Sequence, residues 1–213
     1  MFPFRPRLRG VRPSPSEITR HHHGTPPPGA DPFLPGHSQE PYRIEIAEYD
    51  DEWSRRFADA ERLIRAALGS RVMELHHVGS TSVPGLPAKP FVDADLVVAD
   101  PADEPSYIAD LVAAGFSHRI REPWWHEHRL LVQDVPRVVL HVFGPDCPEV
   151  IRHLMFRDWL RSHPDDRERY AATKRTAAAA TNAMGGHGMD YNAQKQEVVR
   201  EIYDRMFRAH GLL

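Results

Sequence analysis

Two aspartates one residue apart, Asp93 and Asp95, sit in an apolar run that follows a turn of small and hydroxyl residues, Gly79-Ser80-Thr81-Ser82, and a lone lysine, Lys89. Side chains at i and i+2 of a strand share a face, so a strand over Phe91 to Val98 projects both carboxylates together while Val92, Ala94, Leu96 and Val97 bury. Two adjacent ionised carboxylates repel unless a cation or a proton lies between them. Hard oxygen ligands suit magnesium, which binds one or two carboxylates and fills its shell with water and phosphate oxygens. In the turn, Gly79 lets backbone approach closely, and Ser80 and Thr81 offer hydroxyl donors to an anion. Lys89 adds a point charge of the kind phosphates accept. The chemistry read from this stretch is phosphate binding beside a metal at Asp93 and Asp95.

Other residues carry two readings each. His141 lies in an apolar strand, where a histidine is either a hydrogen-bonded core residue or a functional group. His126 and His128 share one strand face in this reading, with Glu127 turned away, and form a weak chelating pair at best. Trp124-Trp125 reads as loop packing or a stacking platform. Arg152, Arg157 and Arg161 line one side of a helix, either as a basic wall toward phosphates or as a solvated face paired with Asp158 and Asp165. Lys174 and Lys195 are similar cases on later helices.

The elements that must position these groups follow from periodicity. Ile44 and Ile46 alternate with charged residues in a short strand pattern, and Asp50 then caps a helix whose apolar face is Trp53, Phe57, Ala60, Ile64 and Leu68, ending at Gly69. Val72 to Val78 is the strand that delivers Gly79-Ser80. Asp100-Pro101 marks a turn, and a helix bearing Ile108, Leu111 and Val112 ends at Gly115. Two strands, Arg129 to Gln133 and Arg137 to Phe143, flank Asp134-Val135-Pro136. From Pro148 the pattern is helical, in three segments: Glu149 to Arg161, Asp165 to Ala183, and Tyr191 to Ala209. Gly185-Gly186-His187-Gly188 is a turn between the last two, not a phosphate loop, because no strand precedes it.

Composition bounds the rest. The chain of 213 residues suffices for one sizeable core, and its formal charge of −3 gives no overall polyanion-binding character. A single cysteine, Cys147, excludes an intramolecular disulfide framework and fits a reducing compartment. With no apolar run of bilayer length and no signal-peptide pattern, the expectation is a cytoplasmic protein without a membrane partner. Residues 1–40 collect prolines, glycines, arginines and His21-His22-His23, a composition that predicts a mostly disordered extension preceding one domain over residues 41–213.

The run from His77 to Leu86, with Ala88-Lys89-Pro90 and Asp93, closely resembles the signature of the GrpB family, a group within the nucleotidyltransferase superfamily. Tyr49-Asp50, Glu52-Trp53, Leu140-His141-Val142, Arg152-His153-Leu154, Phe156-Arg157-Asp158, Leu160-Arg161, Tyr170 with Lys174 and Tyr191 with Lys195 extend the match. The resemblance implies an α+β, nucleotidyltransferase-like mixed β-sheet flanked by helices, with a helical C-terminal part over residues 146–213. It implies that Gly79 and Ser80 hold nucleotide phosphates and that Asp93 and Asp95 bind divalent metal. A third carboxylate comes from a later strand in that superfamily; here the strand offers His141. The expected function is magnesium-dependent transfer of a nucleotidyl group from a nucleoside triphosphate to a small-molecule acceptor, with Lys89 and Arg157 adding positive charge and His141 orienting the acceptor or acting as base. Nucleic acid is not the expected acceptor, because no long basic, aromatic-studded surface is evident. The alternative is a non-catalytic nucleotide- or protein-binding module of the same fold.

Overall fold

Alternation within the central strands decides the architecture. The computed structural model describes residues 12–20, 26–38 and 41–213. In chain order the elements are α1 (Pro15–Thr19), α2 (Glu52–Leu68), β1 (Glu74–Val78), β2 (Val92–Val97), α3 (Ile108–Ala113), β3 (Ser117–Glu122), β4 (His128–Gln133), β5 (Val138–Phe143), α4 (Pro148–Ser162), α5 (Pro164–Ala183) and α6 (Gly188–Ala209). The strands form one mixed sheet in the order β1-β2-β5-β4-β3, with β2 and β5 parallel and the other pairs antiparallel. This is the α+β class expected, with α4 to α6 as its helical C-terminal part.

On β2 the even positions Val92, Ala94 and Leu96, with Val138, Leu140 and Val142 on β5, bury against α2 and α3 through Ala60, Ile64, Leu68 and Leu111. The odd positions, Asp93 and Asp95 on β2 and His141 on β5, therefore turn to the opposite face. Register places Asp95 beside His141 and Asp93 beside Val139. One apolar face thus anchors the sheet, and its other face carries these polar side chains beside Val97 and Phe143, which pack with Cys147 and Val150.

Helix ends follow their local chemistry. Asp50 Oδ1 accepts from the Glu52 backbone N–H at 2.9 Å, the helix itself beginning two residues on, and Gly69 ends α2 with φ +57°.

Three expectations are corrected. Residues 42–47 form no strand. Their pairing reduces to one bridge, Ala47 with Ala88, and the backbone of Ile44 is met instead by the Asn182 side chain: Ile44 N–H donates to Oδ1 at 2.8 Å, and Nδ2 donates to the Ile44 carbonyl at 2.9 Å. A primary amide presents an N–H donor and a carbonyl acceptor side by side, so it substitutes for a neighbouring strand. Secondly, β3 was not anticipated, because Ser117-His118-Arg119-Ile120-Arg121-Glu122 carries one aliphatic residue. It is a bulged edge strand, which needs little apolar content.

Thirdly, two pieces of the proline-rich segment are ordered against the domain. Arg121 N–H donates to the Pro32 carbonyl at 2.9 Å, Leu34 N–H donates to the Arg119 carbonyl at 3.0 Å, and Phe33 bridges Ile120, so this segment covers the β3 edge. Helix α1 has a Ser14–Glu17 capping box and buries Ile18 among α4, α5 and α6 residues, and Arg152 donates to the Ile18 carbonyl at 3.0 Å. His21-His22-His23 lie outside the described residues. No helix among the described residues is long and apolar enough to cross a membrane.

Replacing Asn182 with alanine leaves the donor and acceptor of Ile44, itself 3% exposed, without partners. The expected loss is about 2–3 kcal/mol, read as a lower urea midpoint with an unchanged slope.

Candidate functional site

The polar face of the sheet forms the floor of a cavity of about 670 Å³, roofed by α4, α5 and α6. Gly79, Ser80, Lys89, Asp93, His141, Arg157, Lys174 and Lys195 all line it, so eight residues singled out by the sequence converge there. Two others do not reach it. Thr81 is buried at 1% exposure, its hydroxyl donating to the Phe91 carbonyl at 3.1 Å and lying 3.1 Å from His77 Nε2. Its role is to brace the turn. Asp95 is fully buried behind the lining.

Gly79 has φ +67° and leads into a 3₁₀ turn over Ser80–Ser82. A Cβ at this position would lie 2.3 Å from Asp93 Oδ2, so glycine is required twice, by the backbone and by the carboxylate packed on its Cα. The turn is closed by Ser82, whose hydroxyl donates to the Gly79 carbonyl at 2.6 Å. The Ser80 hydroxyl lies beside the Tyr170 phenol and favours its ionised form, against the larger opposing effect of burial. Arg161 donates to the Ser82 carbonyl at 2.6 and 3.1 Å, and Arg157 donates to the His77 carbonyl at 3.1 Å. Two guanidiniums from α4 thus hold the turn in place.

The two aspartates are treated differently. Burial pushes the Asp93 carboxyl up to about 6, with Lys89, His153 and Lys195 pulling the other way and Asp95 adding to the rise. Asp95 Oδ2 lies 2.8 Å from His153 Nδ1, and its Oδ1 is buried without a partner. Burial disfavours the charged His153 ring, but the attraction and hydrogen bond of Asp95 outweigh it, and the pKa of His153 rises. His153 Nε2 also lies 3.6 Å from Glu149 Oε1. His141 Nδ1 is 3.0 Å from His128 Nε2, and His128 Nδ1 is 2.7 Å from Glu122 Oε2. Burial holds both His128 and His141 down to about 3 and pushes Glu122 up to about 7.

The walls are basic and aromatic. Among the described residues the lining contains one carboxylate, Asp93, against Lys89, Arg119, Arg137, Arg157, Lys174 and Lys195. Lys89 Nζ donates to the Tyr42 hydroxyl at 3.1 Å and lies 5.2 Å from the Phe91 ring and 5.1 Å from the Tyr191 ring. Lys195 Nζ lies 4.1 Å from the Tyr191 ring, and Lys174, which donates to the Pro87 carbonyl, lies 4.9 Å from Tyr170. Aromatic faces stabilise a desolvated ammonium, yet burial still lowers Lys174 to about 6 and Lys195 to about 7.

The basic wall of Arg152, Arg157 and Arg161 is corrected. At 3.6 residues per turn, residues four apart nearly eclipse, whereas five apart diverge. Arg157 and Arg161 hold the turn, and Arg152 points away to the α1 carbonyls and Glu149. His126 and His128 do not share a strand face: the strand begins at His128, and His126 and Glu127 sit in a turn with φ +54° and +52°. Trp125 is loop packing, edge-on to Phe143 and His128. Glu122, Tyr42 and Arg137 carried no site signal in the sequence. His153, Tyr170 and Tyr191 stood in recognisable motifs without an assigned role. Their helical spacings were the available clue, since His153 and Arg157 are four apart, as are Tyr170 and Lys174, and Tyr191 and Lys195.

A Gly-Ser turn, an Asp-x-Asp strand beside a parallel neighbour and a helical roof define an α+β protein built on a mixed five-stranded sheet. The chain belongs to the GrpB protein family, which matches residues 43–205. It is 44% identical over 162 residues to a UPF0157 protein of Halalkalibacterium halodurans, covering 76% of this chain and 82% of that one. It is 39% identical over 167 residues to a UPF0157 protein of Streptomyces coelicolor, covering 78% and 86%. The crystal structure of the conserved protein GrpB from Enterococcus faecalis shares the fold, with a TM-score of 0.68 and 23% identity over 78% of this chain and 99% of that one.

An acid whose folded pKa is raised binds more protons in the native state, so its contribution falls as pH rises from the unfolded value, near 3.8, through about 6. Asp93→Asn is therefore expected to stabilise the ligand-free protein above pH 6, on the order of 1–3 kcal/mol. The gain should vanish near pH 4, as measured by urea unfolding across that range.

Proposed function

We propose that this cavity binds a nucleoside triphosphate with magnesium and supports transfer of its nucleotidyl group to a small-molecule acceptor. The observation that carries the reading is the convergence of the Gly79-Ser80 turn, Asp93 and His141 on one cavity whose remaining charged lining, among the described residues, is cationic. Six lysines and arginines suit a polyphosphate, and the rings of Tyr42, Phe91, Tyr170 and Tyr191 offer faces for a base or a ring.

Asp93 on the cavity lining, with Asp95 buried behind it, fits magnesium in its donor chemistry. Asp95 Oδ1 is a buried oxygen without a partner on the face it shares with Asp93. Among the described residues no three His, Cys, Asp or Glu side chains group as a metal cluster, so phosphate oxygens and water would complete the shell. Bound there, magnesium would neutralise charge developing on the phosphates as pyrophosphate leaves. Ser80 and the turn would hold the phosphate tail, Lys89, Lys195 and Arg157 would offset its charge, and His141 would face the acceptor. His153 would hold Asp95 in its orientation.

Binding without transfer is the second reading. It is favoured by His141 standing where the superfamily supplies a third acid, and by the compensation of Asp93 and Asp95 by protein cations.

At saturation, a nucleoside triphosphate with magnesium is expected to raise the melting temperature, with about 2.7 kcal/mol of stabilisation at one hundred times Kd. Asp93→Asn should abolish the magnesium-dependent part of the shift. If no nucleotide shifts the melting temperature, the reading fails; a shift without pyrophosphate release from any acceptor tested selects the second reading. Because Lys174 and Lys195 are lowered by burial to about 6 and about 7, an arriving polyanion restores their charge. Calorimetry near pH 7.5 in buffers of different ionisation enthalpy is expected to show proton uptake on binding.

A further inference from the structure

We propose that Glu122 and His128 are positioning residues that fix the His141 tautomer, leaving its Nε2 bare toward the cavity as the proton acceptor. Three groups form one hydrogen-bonded line: Glu122 Oε2 to His128 Nδ1 at 2.7 Å, and His128 Nε2 to His141 Nδ1 at 3.0 Å. His128 is 2% exposed and is held between Trp125, 4.9 Å away edge-on, and Phe143, 4.9 Å away and stacked. Apolar rings on both sides keep water from supplying alternative partners.

Donors and acceptors must alternate along such a line. An ionised carboxylate only accepts, so the hydrogen of His128 sits on Nδ1 and its Nε2 is a lone pair. His141 must then donate from Nδ1, which leaves Nε2 without a proton. That nitrogen is the one not committed to His128, and His141 lines the same cavity as Asp93. A free imidazole favours the opposite tautomer, with hydrogen on Nε2, which would present a donor. Glu122 reverses that preference through two rings, as the aspartate of a catalytic triad does through one.

The same line moves a proton without storing charge on either buried ring. The acceptor O–H or N–H bond breaks and its proton joins His141 Nε2. The His141 Nδ1 proton passes to His128 Nε2, and the His128 Nδ1 proton passes to Glu122. The electron pair left on the acceptor forms the bond to the α-phosphorus as pyrophosphate departs. Glu122 lies outside the cavity lining, with its side chain 17% exposed, so it can hand the proton to solvent. This use of the line rests on the transfer reading above; the tautomer does not.

The test is a long-range proton–nitrogen correlation spectrum of the ligand-free, histidine-labelled protein at about pH 8.5, above the value of about 7 to which burial brings Glu122. The expected result is hydrogen on Nδ1 of both His128 and His141, with His141 Nε2 bare. Glu122→Leu removes the acceptor at the head of the line, and the His141 hydrogen is then expected on Nε2. Wild-type His141 protonated on Nε2 overturns the proposal, and so does an Nδ1 hydrogen retained in Glu122→Leu. The wild-type spectrum suffices if that variant does not fold. No nucleotide is present, so nucleotide binding can fail independently.

Discussion

Placing two carboxylates on the inner strand of a sheet is the constraint to which the rest of this structure responds. Strand β2 lies between β1 and β5 and is buried on its apolar face, so Asp93 and Asp95 meet a low-dielectric floor where a bare charge is costly. Each is compensated separately. Asp95 takes His153 from α4, and Asp93 faces the field of Lys89 and Lys195 and packs against the Cα of Gly79. The compensating groups come from a loop, a helix midway along the chain and the last helix, so the floor and the roof stabilise each other electrostatically.

The roof repeats one local device. Tyr170 with Lys174, and Tyr191 with Lys195, are four residues apart on α5 and α6, so each lysine shares a helix face with a tyrosine. The rings reduce the cost of desolvating the ammonium groups, while burial keeps Lys174 and Lys195 below their ordinary range. A cavity built this way holds two ammonium groups whose charge depends on what lies beside them. His141 belongs to a different network, neutral and hydrogen-bonded toward β3 and β4, which separates the lysine-lined and imidazole-lined sides of one cavity.

Much of this was legible in local pattern. The alternation of Val92, Ala94 and Leu96 with the aspartates located the strand and its two faces. Three C-terminal helices, the Asp50 cap and the Gly69 stop followed from spacing and residue type. Local pattern failed where partners are remote. Ile44 and Ile46 alternate as a strand does, yet the Asn182 side chain took the place of a neighbouring strand. Strand β3 has almost no apolar signal, because an edge covered by residues 32–34 needs little. Part of the proline-rich segment is ordered for the same reason: Ile18 and Phe33 find apolar and backbone partners that composition does not reveal.

The sequence by itself determined the turn of Gly79-Ser80, the paired aspartates two positions on a strand apart, and the family to which the chain belongs, because each is a matter of residue type at short spacing. Tertiary structure alone decided which polar groups meet. It buried Asp95 behind Asp93, turned Thr81 from the cavity to the Phe91 carbonyl, sent Arg152 away from Arg157, and aligned Glu122, His128 and His141. The physical reason is that a charged or hydrogen-bonding side chain is satisfied by whatever lies within about 3 Å in space, and these partners are brought together only when the sheet and its helical roof close.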